Sequence, residues 1–257
     1  MESLTPKLSI RDLRKAYGQK TVLDGISFDV ETGEFLSILG PSGCGKTTIL
    51  RILIGLLAPT GGQVLKDGTD ITGLSPSDRG MGIVFQNYAL FENMTVLDNV
   101  RYALRFHKTY KKQSQALAER LLRRVGLWEL RDKKPAKLSG GQQQRVAIAR
   151  TLALNPDILL FDEPMSALDV ETRLTLRQEL KDIQREFGST MLYITHDQEE
   201  AFAMSDRIMV MGEGRIHQLD TPERIVSQPA DDYVRRFVVE NLQLKTRSLA
   251  RYIQVEP

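Results

Sequence analysis

The stretch FLSILGPSGCGKTTILRIL, from Phe35 to Leu53, decides the fold. It opens on an apolar run, breaks into a glycine-punctuated loop and continues with apolar residues at helical spacing, which reads as a buried strand, a tight turn and a helix. Gly40, Gly45, Lys46 and Thr47 match G-x4-G-K-[ST] in the context that pattern requires. Glycines let backbone N–H groups approach phosphates without a Cβ in the way, and the helix N-terminus adds unpaired donors and a positive field. Gly40, Pro41, Ser42, Gly43, Cys44, Gly45, Lys46, Thr47 and Thr48 are therefore candidate nucleotide-binding positions. Lys46 is expected to reach the β- and γ-phosphates, and the Thr47 hydroxyl to coordinate Mg²⁺.

Upstream, Leu8–Leu13, Val22–Val30 and Gln63–Leu65 read as strands bounded by Tyr17-Gly18, Thr32-Gly33 and Gly61-Gly62. The helix after the loop is expected over Thr47–Leu57, stopping at Ala58-Pro59. Ser75-Pro-Ser-Asp suggests a short capped helix at 75–79. Beyond residue 87 the pattern turns helical: Thr95-Val-Leu-Asp98 starts one helix, and Ala116, Leu117, Leu121, Leu122 and Val125 form the stripe of another. Strand and helix then alternate over Asp157–Asp162, Val170–Phe187, Thr190–Thr195, Gln198–Met204 and Arg207–Met211. That alternation predicts an α/β fold with a largely parallel, buried sheet, divided by an α-helical insertion.

A phosphate loop needs a second metal-anchoring carboxylate and a group that activates water. Asp157-Ile-Leu-Leu-Phe-Asp162-Glu163 offers both at the C-terminal end of an apolar strand. Asp162 is the expected Mg²⁺ ligand and Glu163 the expected general base for attack on the γ-phosphorus. Leu138-Ser-Gly-Gly-Gln142 precedes a further helix. Ser139 and Gln142 satisfy a capping box unaided. A cap does not need Gly140 and Gly141, however, and bare backbone at a helix start suggests a second anion site. Since the chain already has one phosphate cradle, this second one is expected to serve another copy's nucleotide.

On these residues the chain resembles the ATP-binding-cassette (ABC) family, over about residues 5 to 230. The resemblance implies a P-loop NTPase with a RecA-like core sheet, an N-terminal antiparallel β subdomain and an inserted α-helical subdomain at about 87–155. One nucleotide-binding domain is expected over 1–235, with a helix or tail at 236–257 and no full regulatory β-domain. Tyr17 is similar to the family's adenine-stacking aromatic, and Gln86 to the glutamine that senses metal and γ-phosphate. Ser166, Ala167, Leu168 and Asp169 resemble the loop that crosses the dimer interface, and His196 the histidine at the γ-phosphate and attacking water. His107 and His217 are read as structural. The implied assembly is a head-to-tail pair of copies burying two ATP, each between one copy's phosphate loop and the other's Ser139–Gln142.

The residues after Gln86, Tyr88-Ala-Leu-Phe91 and Met94, are apolar and suit a groove for an amphipathic helix. In the family that helix comes from an integral membrane permease, which works with a substrate-binding protein. Arg79–Phe91 and Thr195–Phe202 resemble bacterial importer ATPases for polyamines, ferric iron, phosphonates and maltose-type sugars, although Glu92-Asn93 replaces the usual Pro-His. Export or lipoprotein extraction is the alternative direction, and a soluble cassette ATPase or a non-hydrolysing binding module lies further off. With 35 basic and 33 acidic residues the net charge is +2, which gives no reason to expect a nucleic-acid partner. Cys44 is the only cysteine, which excludes an intrachain disulfide. No apolar run approaches the roughly 20 residues of a membrane helix. The expected location is the cytoplasmic face of a bacterial membrane, held there peripherally through a partner.

Overall fold

The computed structural model describes residues 5–250, so the ends of the expected domain and tail, 1–4 and 251–257, lie outside the described residues. The chain divides into two compact units. One comprises the residues up to Gly73 together with those from Tyr193 onward; the other is Leu74–Leu192.

Numbered in chain order, the first unit opens with β1 (Leu8–Tyr17), β2 (Lys20–Val30), β3 (Phe35–Leu39), α1 (Lys46–Leu53), β4 (Gly61–Lys66) and β5 (Thr69–Asp70). The second holds β6 (Met81–Val84), α2 (Val96–Phe106), α3 (Ser114–Arg124), α4 (Gly140–Leu152), β7 (Ile158–Asp162) and α5 (Val170–Phe187). Strand β8 (Thr190–Thr195) carries the chain back to the first unit. There follow α6 (Gln198–Met204), β9 (Arg207–Gly212), β10 (Arg215–Asp220), α7 (Pro222–Ser227), α8 (Asp232–Val234) and α9 (Asn241–Ala250).

In the first unit β2, β1, β4 and β5 form an antiparallel sheet in that order. β3 pairs in parallel with β9, Leu36 opposite Arg207 and Leu39 opposite Val210, and β10 adds to β9 antiparallel. Every residue of β3 is buried, as a strand covered on both faces requires. Arg207 anchors this pairing by a forked ion pair to buried Glu34 at 2.7 and 2.9 Å. The last helices belong to the core: Leu39, Ala201, Ile208, Val210, Ile225, Val234 and Val238 pack as one buried cluster.

In the second unit β6 and β7 run parallel, Met81 opposite Ile158 and Val84 opposite Phe161. Helices α2, α3 and α4 pack on one another. Thr95 caps α2, its hydroxyl accepting from the Asp98 amide at 3.1 Å. This mixture of antiparallel and parallel strands with helices is the α/β class expected from the sequence.

Two local readings change. Helix α1 ends at Leu53, short of Ala58-Pro59. Gly55 adopts the left-handed conformation (φ 85°), and the Gly55 and Leu56 amides bond back to Ile52 O and Arg51 O at 3.0 and 2.8 Å, closing the helix one turn early. The predicted helix at 75–79 is a single tight helical turn, Pro76–Asp78.

Candidate functional site

The loop between β3 and α1 is built around a lysine turned back on it. Lys46 is 4% exposed, and its Nζ donates to Gly40 O at 2.8 Å and Pro41 O at 3.0 Å, tying the loop's start to the helix it leads into. Gly45 caps α1 at φ 108°, a conformation that L side chains rarely adopt. A Cβ there would lie 2.6 Å from Leu23 Cδ2 and 3.1 Å from Val22 O, so space and backbone both demand glycine. Pro41, Ser42 and Gly43 are exposed, whereas Cys44 is 5% exposed and fills the interior of the turn. Thr47 and Thr48 lie in the first turn of α1, half-buried.

The second unit gathers most of the other sequence-selected residues. Asp162 ends β7, and Glu163 follows it in the left-handed region at φ 46°. A non-glycine residue held there costs on the order of 1–3 kcal/mol, and such outliers cluster where geometry serves function. Glu163 is held by its own loop: its carbonyl accepts from the Ser166 hydroxyl at 3.0 Å, and Gln86 Nε2 in turn donates to Ser166 Oγ at 3.2 Å. Gln86, Ser166 and Glu163 are thus one hydrogen-bonded chain, although 80 positions separate Gln86 from Ser166.

Further along this loop the side chains serve different ends. Ser166 and Ala167 are exposed, while Leu168 is 7% exposed and faces the start of α4, where a Cβ on Gly140 would lie 3.4 Å from its Cδ2. Asp169 caps α5, accepting from the Thr172 amide at 2.9 Å and the Thr172 hydroxyl at 2.7 Å. The Thr172 backbone bond, then its hydroxyl bond, holds the Asp169 carboxyl below its usual pKa.

Ser139 and Gln142 close the capping box at the start of α4. Ser139 Oγ accepts from the Gln142 amide at 3.3 Å, and Gln142 Oε1 accepts from the Ser139 amide at 3.1 Å. As an acceptor in this cap, the Ser139 hydroxyl still has a proton to give. A Cβ on Gly141 would lie 2.6 Å from Thr172 Cγ2, so the second glycine has a reason inside its own chain. Gly140, by contrast, is exposed.

The turn after Gln86 carries a feature with no local sequence signal. Tyr88 and Ala89 are both left-handed, at φ 59° and 48°. Arg150, on α4, holds them: Nη2 donates to Tyr88 O at 2.9 Å and Nη1 to Ala89 O at 2.7 Å, with the guanidinium 5.5 Å from the Phe91 ring. Burial lowers the Arg150 pKa, but a guanidinium stays charged at neutral pH. Tyr88, one of the apolar residues expected to suit a groove, is 8% exposed, and burial raises its pKa. Ala89, Phe91, Phe85, Tyr102 and Leu154 instead border an open apolar cavity of about 350 Å³ with Arg150 at its edge.

In the first unit Tyr17, at the end of β1, is 53% exposed with Lys15 Nζ 5.0 Å above its ring. His196 is exposed in the turn between β8 and α6. Buried Glu200 fastens α6 to the end of β8, accepting from Tyr193 Oη and Thr195 Oγ1 at 2.8 Å each. The other histidines pack locally: His107 stacks on Tyr110, and His217 stacks on Tyr233 while bonding Asp231 at 2.7 Å.

Comparison with known proteins points the same way. The family model described as ABC transporter matches residues 23–166. The spermidine/putrescine import ATP-binding protein PotA of Bacillus cereus is 46% identical over 250 residues, covering 97% of this chain and 76% of the relative. The protein of the same name from Oleidesulfovibrio alaskensis is 49% identical over 229 residues, 89% of this chain and 61% of the relative. That from Mannheimia succiniciproducens is 46% identical over 235 residues, 91% and 63%. The chain belongs to the ABC transporter family, as an ATP-hydrolysing subunit.

Proposed function

We propose that this chain pairs with a second copy around two ATP and powers solute import through a membrane permease, polyamines being the substrate class its relatives' names suggest. The observation that carries the reading is Glu163, kept in a strained backbone conformation by Ser166, which Gln86 contacts in turn. A general base must be presented in one direction, and a fixed backbone at the end of β7 supports that.

In this reading Lys46 and the loop amides from Gly40 to Thr48 hold the phosphates, and Tyr17 stacks on the adenine. Glu163 takes a proton from the attacking water, and His196 steadies the γ-phosphate. Thr47 and Asp162 present hard oxygen donors, with Gln86 nearby in role, which suits a Mg²⁺ ion that completes its shell with nucleotide phosphates. When bound, Mg²⁺ neutralises charge on the phosphate oxygens.

Ser139, Gly140, Gly141 and Gln142 meet the other copy's nucleotide, and Ser166–Asp169 the other copy's surface. ATP stabilises the closed pair and its hydrolysis releases it, a ligand-driven shift between two states. The apolar cavity beside Phe85, Phe91 and Arg150 receives a helix of the permease. Among the described residues no helix is long and apolar enough to cross a membrane. In this reading the chain sits at the cytoplasmic face on that permease, with a substrate-binding protein as a more distant partner.

Glu163→Gln with ATP tests the reading. The expected result is a stable dimer in sedimentation or light scattering with almost no phosphate release. A monomer under those conditions, or turnover near that of the unmodified chain, overturns it.

A further inference from the structure

The His196 turn is coupled to the C-terminal helix through a residue that the proposed chemistry does not use. Gln198, the first residue of α6, is 7% exposed, and its Nε2 donates to the carbonyl of Phe237. Phe237 lies in Arg235–Glu240, which joins α8 to α9 and is wound as a π-helix. Such wide turns interrupt the ordinary ladder and recur at functional positions. Here the Asn241 amide bonds Val238 O, while Phe237 O accepts from two side-chain amides, those of Gln198 and of Asn241 (3.0 Å).

Two further contacts join the same elements. Lys245 Nζ on α9 pairs with Glu199 on α6 at 3.1 Å. A cavity of about 330 Å³ is bounded by His196, Asp197 and Gln198 on one side and by Asn241, Leu244 and Lys245 on the other, so α9 borders the histidine itself. Asp197 caps α6 through the Glu199 and Glu200 amides at 2.8 and 3.4 Å, so α6 and the turn before it are one piece. Gln198 Oε1 is buried with no hydrogen-bond partner. A buried acceptor left without a partner costs free energy, so the amide's one bond is the one Nε2 gives to Phe237 O.

We infer that Gln198 is a positioning residue for ATP hydrolysis: bonded to Phe237 O, it sets the pose of the His196 turn, so displacement of the C-terminal helix changes turnover. The inference rests on the proposed role of His196. It makes α9 an input whose position changes hydrolysis without touching nucleotide.

The experiment compares the full chain, Gln198→Met, His196→Ala and the double variant by steady-state ATP hydrolysis, with melting curves to confirm folding. Gln198→Met keeps the side chain's size and removes the donor. It is expected to lower kcat about tenfold and to leave KM for ATP within about twofold, as for a misplaced reacting group. In the His196→Ala background the same change should alter kcat less than about twofold, because a residue acting through His196 has nothing left to position. A second route uses half-exposed side chains that do not threaten folding: Lys245→Glu should lower kcat by about threefold, and Glu199→Lys added to it should restore turnover. Gln198→Met within twofold of the unmodified kcat, or an equal loss in both backgrounds, overturns the inference while leaving the role of His196 intact. Wild-type turnover in His196→Ala overturns that role and the inference with it.

Discussion

Replacing Arg150 by methionine should loosen the turn after Gln86 by an amount that the geometry sets. Arg150 donates to Ala89 O at 2.7 Å and to Tyr88 O at 2.9 Å, the first bond exposed and the second partly buried. Hydrogen bonds from a charged donor contribute about 1.5–3 kcal/mol each, the exposed one at the low end, so losing both costs about 3–4 kcal/mol. Tyr88 and Ala89 are left-handed, each about 1 kcal/mol above an ordinary conformation, and once released the turn recovers part of that strain. The net loss is about 2 kcal/mol.

Urea unfolding followed by fluorescence and by circular dichroism measures it. With a slope of about 2 kcal/mol/M, the midpoint should fall by roughly 1 M while the slope is unchanged. Amide exchange localises the effect. The Tyr88 N–H, bonded to Phe85 O at 2.9 Å, should exchange roughly 30-fold faster, the factor that corresponds to about 2 kcal/mol. Arg150→Lys should recover less than half of the loss, since an ammonium lacks the planar fork that reaches both carbonyls. A midpoint shift below about 0.2 M, or full recovery by lysine, would refute the reasoning that the turn is held by a bidentate clamp.

Gly45→Ala should destabilise the fold by about 2–4 kcal/mol and abolish nucleotide binding, because the new Cβ meets Leu23 and Val22 at a backbone angle alanine resists. Thermal melting and nucleotide titration check this, and a variant with wild-type melting would exclude it. Asp169→Asn tests a pH dependence. Hydrogen bonds from Thr172 lower the Asp169 pKa in the folded chain, so the carboxylate's added stability is present above the ordinary carboxyl range and is lost as pH falls through the lowered value. The stability difference between the chain and Asp169→Asn should therefore be constant from about pH 5 to 7 and shrink below about pH 4; a difference independent of pH would count against it.

Much of the fold was legible because its signals are local. The strand, loop and helix from Phe35 to Leu53 rest on an apolar run, a glycine loop and helical spacing, all within one short window. The caps at Thr95 and Ser139 are likewise bonds across three residues, written where they act, whereas the cap that Asp169 gives α5 appears only in the structure. Gly55, left-handed at φ 85°, is a local stop signal as well. It closes α1 before the chain reaches Ala58-Pro59, because a left-handed residue ends the helical ladder wherever it falls.

Within the candidate site, sequence named the residues and tertiary structure decided their company. The residue types at Lys46, Thr47, Asp162, Glu163 and Ser139 follow from what phosphate, metal and water demand, and short spacings display them. That Gln86 joins Glu163 through Ser166, that Arg150 clamps Tyr88 and Ala89, and that Gln198 bonds Phe237 was not readable. Each of these pairs brings together elements far apart in the chain, and glutamine and arginine are common on solvated helix faces where they bond nothing. Backbone preference and hydrophobic period act over a few residues, and so the sequence alone determined the elements and the chemistry they carry. Side-chain pairing across long separations depends on where buried surface packs, and only the folded chain decides which donor meets which carbonyl.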